Sequence, residues 1–168
     1  MVGTKLYWVD GPWTGKLALA ARPRGDDWLE DEIIAWRRMG ADVVLSLLTP
    51  EEEQDLGLAN EGRTARDNGI EFLTLPIPDR QVPNSETELT AVLESLNARL
   101  SSARNVVVHC RQGVGRSGLV AACLLASKGL ATQSAIDRVT AARGVSVPET
   151  PEQREWINHY AAILASSK

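Results

Sequence analysis

Cys110 lies in a glycine-rich segment whose residue types and spacing suit the binding and attack of a phosphate group. The segment runs from an apolar stretch into a helical pattern and reads Val106-Val107-Val108-His109-Cys110-Arg111-Gln112-Gly113-Val114-Gly115-Arg116-Ser117-Gly118. Successive backbone N–H groups in such a loop point at one spot, and the helix behind them adds its positive end. Gly113 and Gly115 allow positive φ and a close approach of the backbone. The sequence therefore predicts an oxyanion site formed by Arg111, Gln112, Gly113, Val114, Gly115 and Arg116.

Arg116 and Cys110 supply the two chemical groups that this site needs. Arg116 follows Cys110 by six positions and can hold two phosphate oxygens with its planar guanidinium. Cys110 is expected to ionise easily, because a helix N-terminus and nearby cations stabilise a thiolate. A thiolate below a bound phosphoryl group is placed to attack phosphorus. The alternative is a buried structural cysteine in a tight turn.

The pattern His109-Cys110-(five residues)-Arg116-Ser117 resembles the signature of the cysteine-dependent protein tyrosine and dual-specificity phosphatases. Over roughly residues 17–160 the chain is similar to the cyclin-dependent-kinase-associated phosphatase branch of the dual-specificity group. That similarity rests on Pro76-Ile77-Pro78-Asp79, the Cys110 loop, the apolar stretch Leu119–Leu125 and Pro148-Glu149-Thr150-Pro151-Glu152-Gln153-Arg154. The resemblance implies a protein phosphatase that acts on phosphotyrosine, phosphoserine or phosphothreonine through a cysteinyl-phosphate intermediate.

Asp79 is the candidate for the proton donor that cleavage of a phosphate ester requires. It lies 31 residues before Cys110, at the end of a predicted strand and among prolines that stiffen the chain. In the dual-specificity phosphatases the general acid lies on such a loop at about this separation. The alternative is a solvated aspartate at a turn. Asp67 and Glu71 are poorer candidates, because the first precedes a helix-ending glycine and the second opens a strand.

The resemblance also assigns roles to Ser117, His109 and Gln153. Ser117 is similar to the hydroxyl that hydrogen-bonds the cysteine sulfur, although it could equally be an ordinary helix N-cap. His109 is similar to the histidine that braces the loop and the thiolate. Tyrosine-specific members place the hydrolytic water with a glutamine, and Gln153 is a candidate for that role. However, Thr150-x-x-Gln153 also forms a capping box, and capping is the favoured interpretation.

The other unusual side chains are assigned structural roles. Cys123 lies in an apolar helical stretch, where burial is expected, and too far along that helix for an easy disulfide with Cys110. His159 is expected to be structural. The five tryptophans are core candidates, and Trp13 could instead rim the pocket because it lies in a turn.

Other functions for the glycine-rich loop are less favoured. A sulfurtransferase also places a cysteine in an anion-binding loop, but that loop is typically shorter and lacks the final Arg-Ser pair. Gly113, Gly115 and Gly118 match a dinucleotide-binding pattern, which leaves the cysteine and arginine unexplained. On the phosphatase scaffold itself, a phosphoinositide or RNA 5′-phosphatase is a second possibility. A module that binds phosphoproteins without cleaving them is a third.

Alternating strand and helix patterns predict an α/β fold that positions these loops. We expect a single phosphatase domain over residues 1–168, with a central mixed, mostly parallel sheet of about five strands and helices on both faces. Predicted strands lie near 6–9, 17–21, 42–48, 70–75 and 106–108, and predicted helices near 26–39, from 49, 58–68, 85–101, 115–128, 132–143 and 151–165. The helix from 49 opens with Thr49 as N-cap and Glu52 able to close a capping box. Loops after Leu48, Leu75 and Val108 fall at the carboxyl ends of strands, and the last two carry the chemistry.

The net charge and the apolar and cysteine content of the sequence limit the partners and the location that we expect for the chain. The net charge of −4 over 168 residues argues against a nucleic-acid binder. The longest apolar run, Leu119–Ala126, is too short to cross a membrane. The N-terminus lacks the features of a signal peptide, and two cysteines are typical of thiols in a reducing compartment, so a cytoplasmic location is expected. No pattern of metal ligands occurs, so neither a metal nor a cofactor is expected. A phosphorylated protein is the expected substrate.

Overall fold

A computed structural model describes residues 5–167 and contains one five-stranded sheet at the centre of the fold. Its strands are β1 (Tyr7–Val9), β2 (Leu17–Ala20), β3 (Val43–Ser46), β4 (Glu71–Thr74) and β5 (Val106–His109). They lie in the order β1-β2-β5-β3-β4. Within residues 5–167 the β1–β2 pair is antiparallel and the other three pairs are parallel. The predicted mixed, mostly parallel sheet is therefore confirmed.

Helices cover both faces of the sheet. They are α1 (Leu29–Arg38), α2 (Pro50–Asp55), α3 (Glu61–Asp67), α4 (Glu86–Ser101), α5 (Gly115–Ser127), α6 (Thr132–Arg143) and α7 (Pro151–Ser166). A short 3₁₀ turn precedes α1. No helix within residues 5–167 is long and apolar enough to cross a membrane.

The sheet divides the core into two apolar clusters, one on each face. Successive side chains of a strand point to opposite faces, so Val106 and Val108 of the central strand join the cluster formed with α4–α7. Val107 joins the cluster formed with α1 and α3. All three valines are completely buried. A continuous apolar run, rather than an alternating one, is typical of a strand covered on both faces.

Parallel strands bring the predicted functional loops to one edge of the sheet. The loops after β3, β4 and β5 all emerge at the carboxyl ends of the strands. The chain beyond β2 joins them, because Arg22 donates its backbone N–H to the Arg111 carbonyl oxygen at 3.2 Å. This edge is where an open α/β sheet presents ligand sites.

The core predictions for two tryptophans need correction, and so does the alternative given for Trp13, which packs against the core. Trp13 does not rim the pocket: it lies in the β1–β2 connection, at the amino ends of the parallel strands, and donates from Nε1 to Asn97 Oδ1 at 2.8 Å. Trp8 and Trp28 are not core residues, since 37% and 54% of their surfaces are exposed. The Arg24 guanidinium lies over the Trp28 ring, 4.4 Å from its centroid.

Candidate active site

The loops at the carboxyl edge enclose a pocket of about 130 Å³. It is lined by Asp79, Arg80, Cys110, Arg111, Gln112, Gly115, Arg116 and Glu149. Cys110 is only 3% exposed, so its sulfur is approached through this pocket. The structure thus brings Asp79 from one loop together with Cys110 and Arg116 from another.

Gly113 gives the Cys110 loop its shape. Its φ is +74°, in the region that favours glycine. A Cβ at this position would lie 2.6 Å from the backbone carbonyl atoms of Ala20 in β2, so the loop packs directly on the neighbouring strand. Gly115 does not have the positive φ that the sequence suggested. Instead, its missing side chain leaves room for Glu149 and Gln153, which would lie 3.0–3.1 Å from a Cβ.

Ser117 faces the sulfur of Cys110. Its Oγ lies 3.3 Å from Cys110 Sγ, and both residues are buried. The hydroxyl can therefore donate a hydrogen bond to a thiolate. The alternative prediction that Ser117 is the helix N-cap is wrong: α5 begins at Gly115, and Val114 occupies the N-cap position. Because the chain enters the helix before Ser117, the hydroxyl stays free for the sulfur.

Arg116 is almost completely buried, and Glu52 of α2 fixes its guanidinium. Arg116 Nη1 donates to Glu52 Oε1 at 2.6 Å, and Nη2 donates to Oε2 at 2.9 Å. A two-point contact of this kind sets the plane of a guanidinium. Burial raises the pKa of Glu52, but its hydrogen bonds with Arg116 and Thr49 outweigh burial and lower the pKa to about 2. Burial lowers the pKa of Arg116, but contact with Glu52 and the nearby acidic groups outweigh it, so the net pKa is raised.

Glu52 shows that the loop after β3 also contributes to the site, contrary to the expectation that only two loops carry the chemistry. The sequence presents Glu52 as the N3 residue of a capping box, and the structure confirms that role: its side chain accepts from the Thr49 backbone N–H at 3.1 Å. The same carboxylate binds Arg116. A glutamate that already has a helix-capping partner gives no local sign of a second, distant partner.

Asp79 extends over the pocket from the loop after β4. Its Oδ1 accepts from Arg116 Nη2 at 3.0 Å, while 52% of its side chain remains exposed. The loop is anchored just before Asp79, because the Ile77 carbonyl oxygen accepts from Arg116 Nη1 at 2.8 Å. Asp67 is the last residue of α3. Glu71, the first residue of β4, forms ion pairs with Arg99 and Arg104. Neither Asp67 nor Glu71 lines the pocket. Of the three acidic candidates, Asp79 alone lines the pocket.

The side chain of His109 supports the Cys110 loop, and it pairs with Glu61 of α3. His109 Nε2 lies 2.6 Å from Glu61 Oε2, and Nδ1 lies 3.3 Å from the Cys110 carbonyl oxygen. Both side chains are completely buried. Glu61 was not anticipated, because an acidic residue in the first turn of a helix usually indicates a solvated position that favours the helix dipole.

Arg143, at the end of α6, holds the outside of the Cys110 loop. Its Nε donates to the Gly113 carbonyl oxygen at 3.0 Å, and Nη2 donates to that of Gln112 at 3.2 Å. In a trans peptide the N–H points away from the C=O. Fixing these two carbonyls outward therefore turns the N–H groups of Gly113 and Val114 to the opposite side of the loop. This contact could not be predicted from the sequence, because a basic residue is common at a helix C-terminus.

Comparison with known proteins agrees with this geometry. A family model described as "PTP-SAK: Swiss Army Knife protein, DSP-PTPase phosphatase domain" matches residues 12–162. The chain belongs to this family. Among curated relatives, cyclin-dependent kinase inhibitor 3 of Rattus norvegicus is 36% identical over 93 residues. The predicted resemblance to dual-specificity phosphatases and to their kinase-associated branch is therefore confirmed.

Two solved structures share the fold. Kinase associated phosphatase, with its catalytic-site cysteine substituted by serine, matches with a TM-score of 0.90, covering 99% of this chain and 98% of that one at 23% identity. The active form of Tk-PTP matches with a TM-score of 0.77, covering 94% and 96% at 28% identity. The chain spans less than half the length of the curated relative above: the match covers 54% of this chain and 43% of the rat protein.

The remaining candidates of this DSP-PTPase domain have structural contacts. Gln153 closes the predicted capping box with Thr150. Cys123 is completely buried, which raises the pKa of its thiol. His159 Nε2 lies 2.9 Å from Glu86 Oε1 on the surface. Arg111 lines the pocket and also contacts Glu52, at 3.4 Å.

Proposed function

We propose that this chain is a protein phosphatase that hydrolyses phosphotyrosine, phosphoserine or phosphothreonine through a cysteinyl-phosphate intermediate. One observation carries the proposal: the nearly buried Cys110 sulfur, the Arg116 guanidinium and the Asp79 carboxylate line the same small pocket. These are a nucleophile, an oxyanion clamp and a proton donor. Membership of the DSP-PTPase family supports the same chemistry.

In the first step, the Cys110 thiolate attacks phosphorus. A sulfur–phosphorus bond forms as the bond between phosphorus and the ester oxygen breaks. Asp79, as the carboxylic acid, gives its proton to the departing oxygen. Arg116 and the loop N–H groups hold the charge on the phosphoryl oxygens. The two hydrogen bonds with Glu52 set the plane of the guanidinium before the substrate binds.

In the second step, water attacks phosphorus and the sulfur–phosphorus bond breaks. Asp79, now the carboxylate, takes a proton from that water and is restored as an acid. Ser117 Oγ, 3.3 Å from Cys110 Sγ, donates a hydrogen bond that stabilises the departing thiolate. The phosphate leaves and the cysteine is ready for another cycle.

A phosphorylated protein is the substrate class that the proposal adopts, and the name of one structural neighbour supports it. The name kinase associated phosphatase connects one structural neighbour with protein partners. Besides Asp79, the pocket wall contains a second carboxylate, Glu149, which is paired with Arg80 at 3.3 Å. Arg111 and Arg116 also line the wall, so the charge of the pocket suits a phosphate monoester of either substrate class, a phosphoprotein or a phosphoinositide. The cytoplasmic location stays a prediction.

Trapping the intermediate tests the proposal. The purified chain is mixed with a phosphotyrosine or a phosphothreonine peptide, quenched in acid within one turnover and measured by intact mass. We expect one added phosphoryl group, localised to Cys110 by peptide mapping and absent from Cys110→Ser. Phosphate release without any cysteine-bound phosphate would contradict the mechanism. Peptides bound but never cleaved would indicate a phosphoprotein-binding module, and turnover of phosphatidylinositol phosphate alone would indicate the lipid substrate.

A further inference from the structure

Gln153 makes one contact that its capping role does not require. Capping uses its carbonyl oxygen, because Oε1 accepts from the backbone N–H groups of Glu149 at 3.0 Å and Thr150 at 3.1 Å. The amide nitrogen turns the other way and donates to the Gln81 carbonyl oxygen at 3.1 Å. A glutamate at this position would cap the helix equally well. The Nε2 donor therefore points to a second role.

Gln81 belongs to the turn that carries Asp79. Its backbone N–H donates to the Pro78 carbonyl oxygen at 3.0 Å, which closes a turn over residues 78–81. The entry to this turn is fixed by Ile77, whose N–H donates to the Leu47 carbonyl oxygen at 3.0 Å and whose carbonyl accepts from Arg116. The exit is fixed by Gln153. A second contact joins Arg80 to Glu149 at 3.3 Å. It is a largely exposed ion pair, so it contributes little free energy to holding the turn in place.

We propose that Gln153 is a positioning residue for the general acid: its Nε2–H group holds the Asp79 turn against α7, which keeps the Asp79 carboxyl group over the pocket. Gln153 is completely buried and does not line the pocket, so it acts through the loop rather than on the reacting atoms. The inference rests on the proposed phosphatase activity and on the assignment of Asp79 as the proton donor.

Three variants separate this role from capping. In Gln153→Glu the carboxylate can still accept from Glu149 and Thr150, but it presents an acceptor to the Gln81 carbonyl oxygen and loses the tie to the loop. In Gln153→Met the cap and the tie are both lost at similar side-chain volume. The matched control is Thr150→Ala, which removes the hydroxyl that accepts from the Gln153 N–H at 3.1 Å but leaves the amide in place.

The readout is the dependence of kcat/KM on the leaving group in a series of aryl phosphates. A phenol of low pKa departs without a proton, whereas a phenol of high pKa needs the general acid. We expect Gln153→Glu to lower kcat/KM about tenfold more for phenyl phosphate than for dinitrophenyl phosphate, because only a part of the 10²–10⁴-fold contribution of a general acid is lost. Gln153→Met should show the same dependence, and Thr150→Ala should not. In an Asp79→Asn background the Gln153 substitution should add no leaving-group dependence.

Three results would overturn the inference while leaving the phosphatase activity intact. A loss equal for all leaving groups would mean a general effect of charge or packing. A burst of phenol followed by slow turnover in Gln153→Met would mean that Gln153 acts on the water of the second step. An unchanged enzyme would mean that the contact with Gln81 has no catalytic consequence. A folded wild type that hydrolyses no ester would instead refute the proposed function.

Discussion

At the scale of single residues, the site depends on Arg116 being buried and yet charged. Only 1% of its side chain is exposed, and a charge so far from water must be paired. Glu52 supplies that pair through two hydrogen bonds, and Asp79 contacts the same guanidinium from the pocket side. The carboxylate of Glu52 thus connects catalysis with the stability of the fold.

The pH dependence of stability should reveal the Glu52–Arg116 pair. The pKa of Glu52 is about 2 in the folded chain, against an ordinary value of 4.5. The folded state binds fewer protons, so the pair contributes fully above pH 4.5 and the contribution is lost as the pH falls towards 2. Glu52→Gln should be less stable than wild type at pH 7, by about 3 kcal/mol for breaking a buried pair.

Urea unfolding between pH 2 and pH 7 measures this difference, with Glu51→Gln, an exposed neighbour in α2, as the control. The gap between wild type and Glu52→Gln should shrink as the pH falls below 4.5. A gap that is the same at every pH would show that the carboxylate of Glu52 is not bound to Arg116.

At the scale of elements, the Cys110 loop takes its shape from β2 on one side and α6 on the other. Gly113 lies against the backbone of Ala20, and Arg143 binds the two carbonyls on the outer side of the loop. Both partners outside the loop, Ala20 and Arg143, are far from Cys110 in sequence. The loop is therefore held by its neighbours as well as by its own conformation.

Gly113→Ala should damage the loop more than its backbone angle alone explains. A left-handed alanine costs about 1–2 kcal/mol, and here the added Cβ would also lie 2.6 Å from the backbone of Ala20. We expect a loss of roughly 100-fold in kcat/KM, which is typical of a displaced catalytic group. The control is Gly129→Ala, which has a φ of +99° but no atom within 4 Å of the added Cβ. Equal effects of the two substitutions on activity and thermal stability would refute this account.

Arg143→Gln should weaken phosphate binding without unfolding the chain. Loss of the charge-assisted hydrogen bonds to Gln112 and Gly113 would let these carbonyls turn, at a cost of about 1.4 kcal/mol or tenfold in affinity. Competitive inhibition by inorganic phosphate or vanadate measures this loss. Arg138→Gln is the control, since Arg138 lies on the same helix and contacts the Asp10 carbonyl oxygen at 3.3 Å. Inhibition constants that match wild type in both variants would show that Arg143 does not order the loop.

At the scale of the whole molecule, most of the correct predictions concern local properties of the sequence. The apolar runs predicted the strands, and the Thr49 and Thr150 capping boxes predicted where α2 and α7 begin. The spacing of Cys110 and Arg116 predicted a shared pocket, because one loop contains both. The contacts that sequence reasoning missed join residues 30 or more positions apart: Glu52 with Arg116, Glu61 with His109, and Arg143 with Gly113. Such pairings depend on which helix packs beside which loop, and neither the periodicity of apolar residues nor a capping motif predicts that packing.

The most direct test of the account is hydrolysis of p-nitrophenyl phosphate by the reduced chain, with a metal chelator present. We expect turnover by wild type, none by Cys110→Ser, and a 10²–10⁴-fold slower rate for Asp79→Asn, the usual contribution of a general acid. Circular dichroism should show that all three are folded. Hydrolysis that survives Cys110→Ser, or no hydrolysis by a folded wild type, would contradict the account.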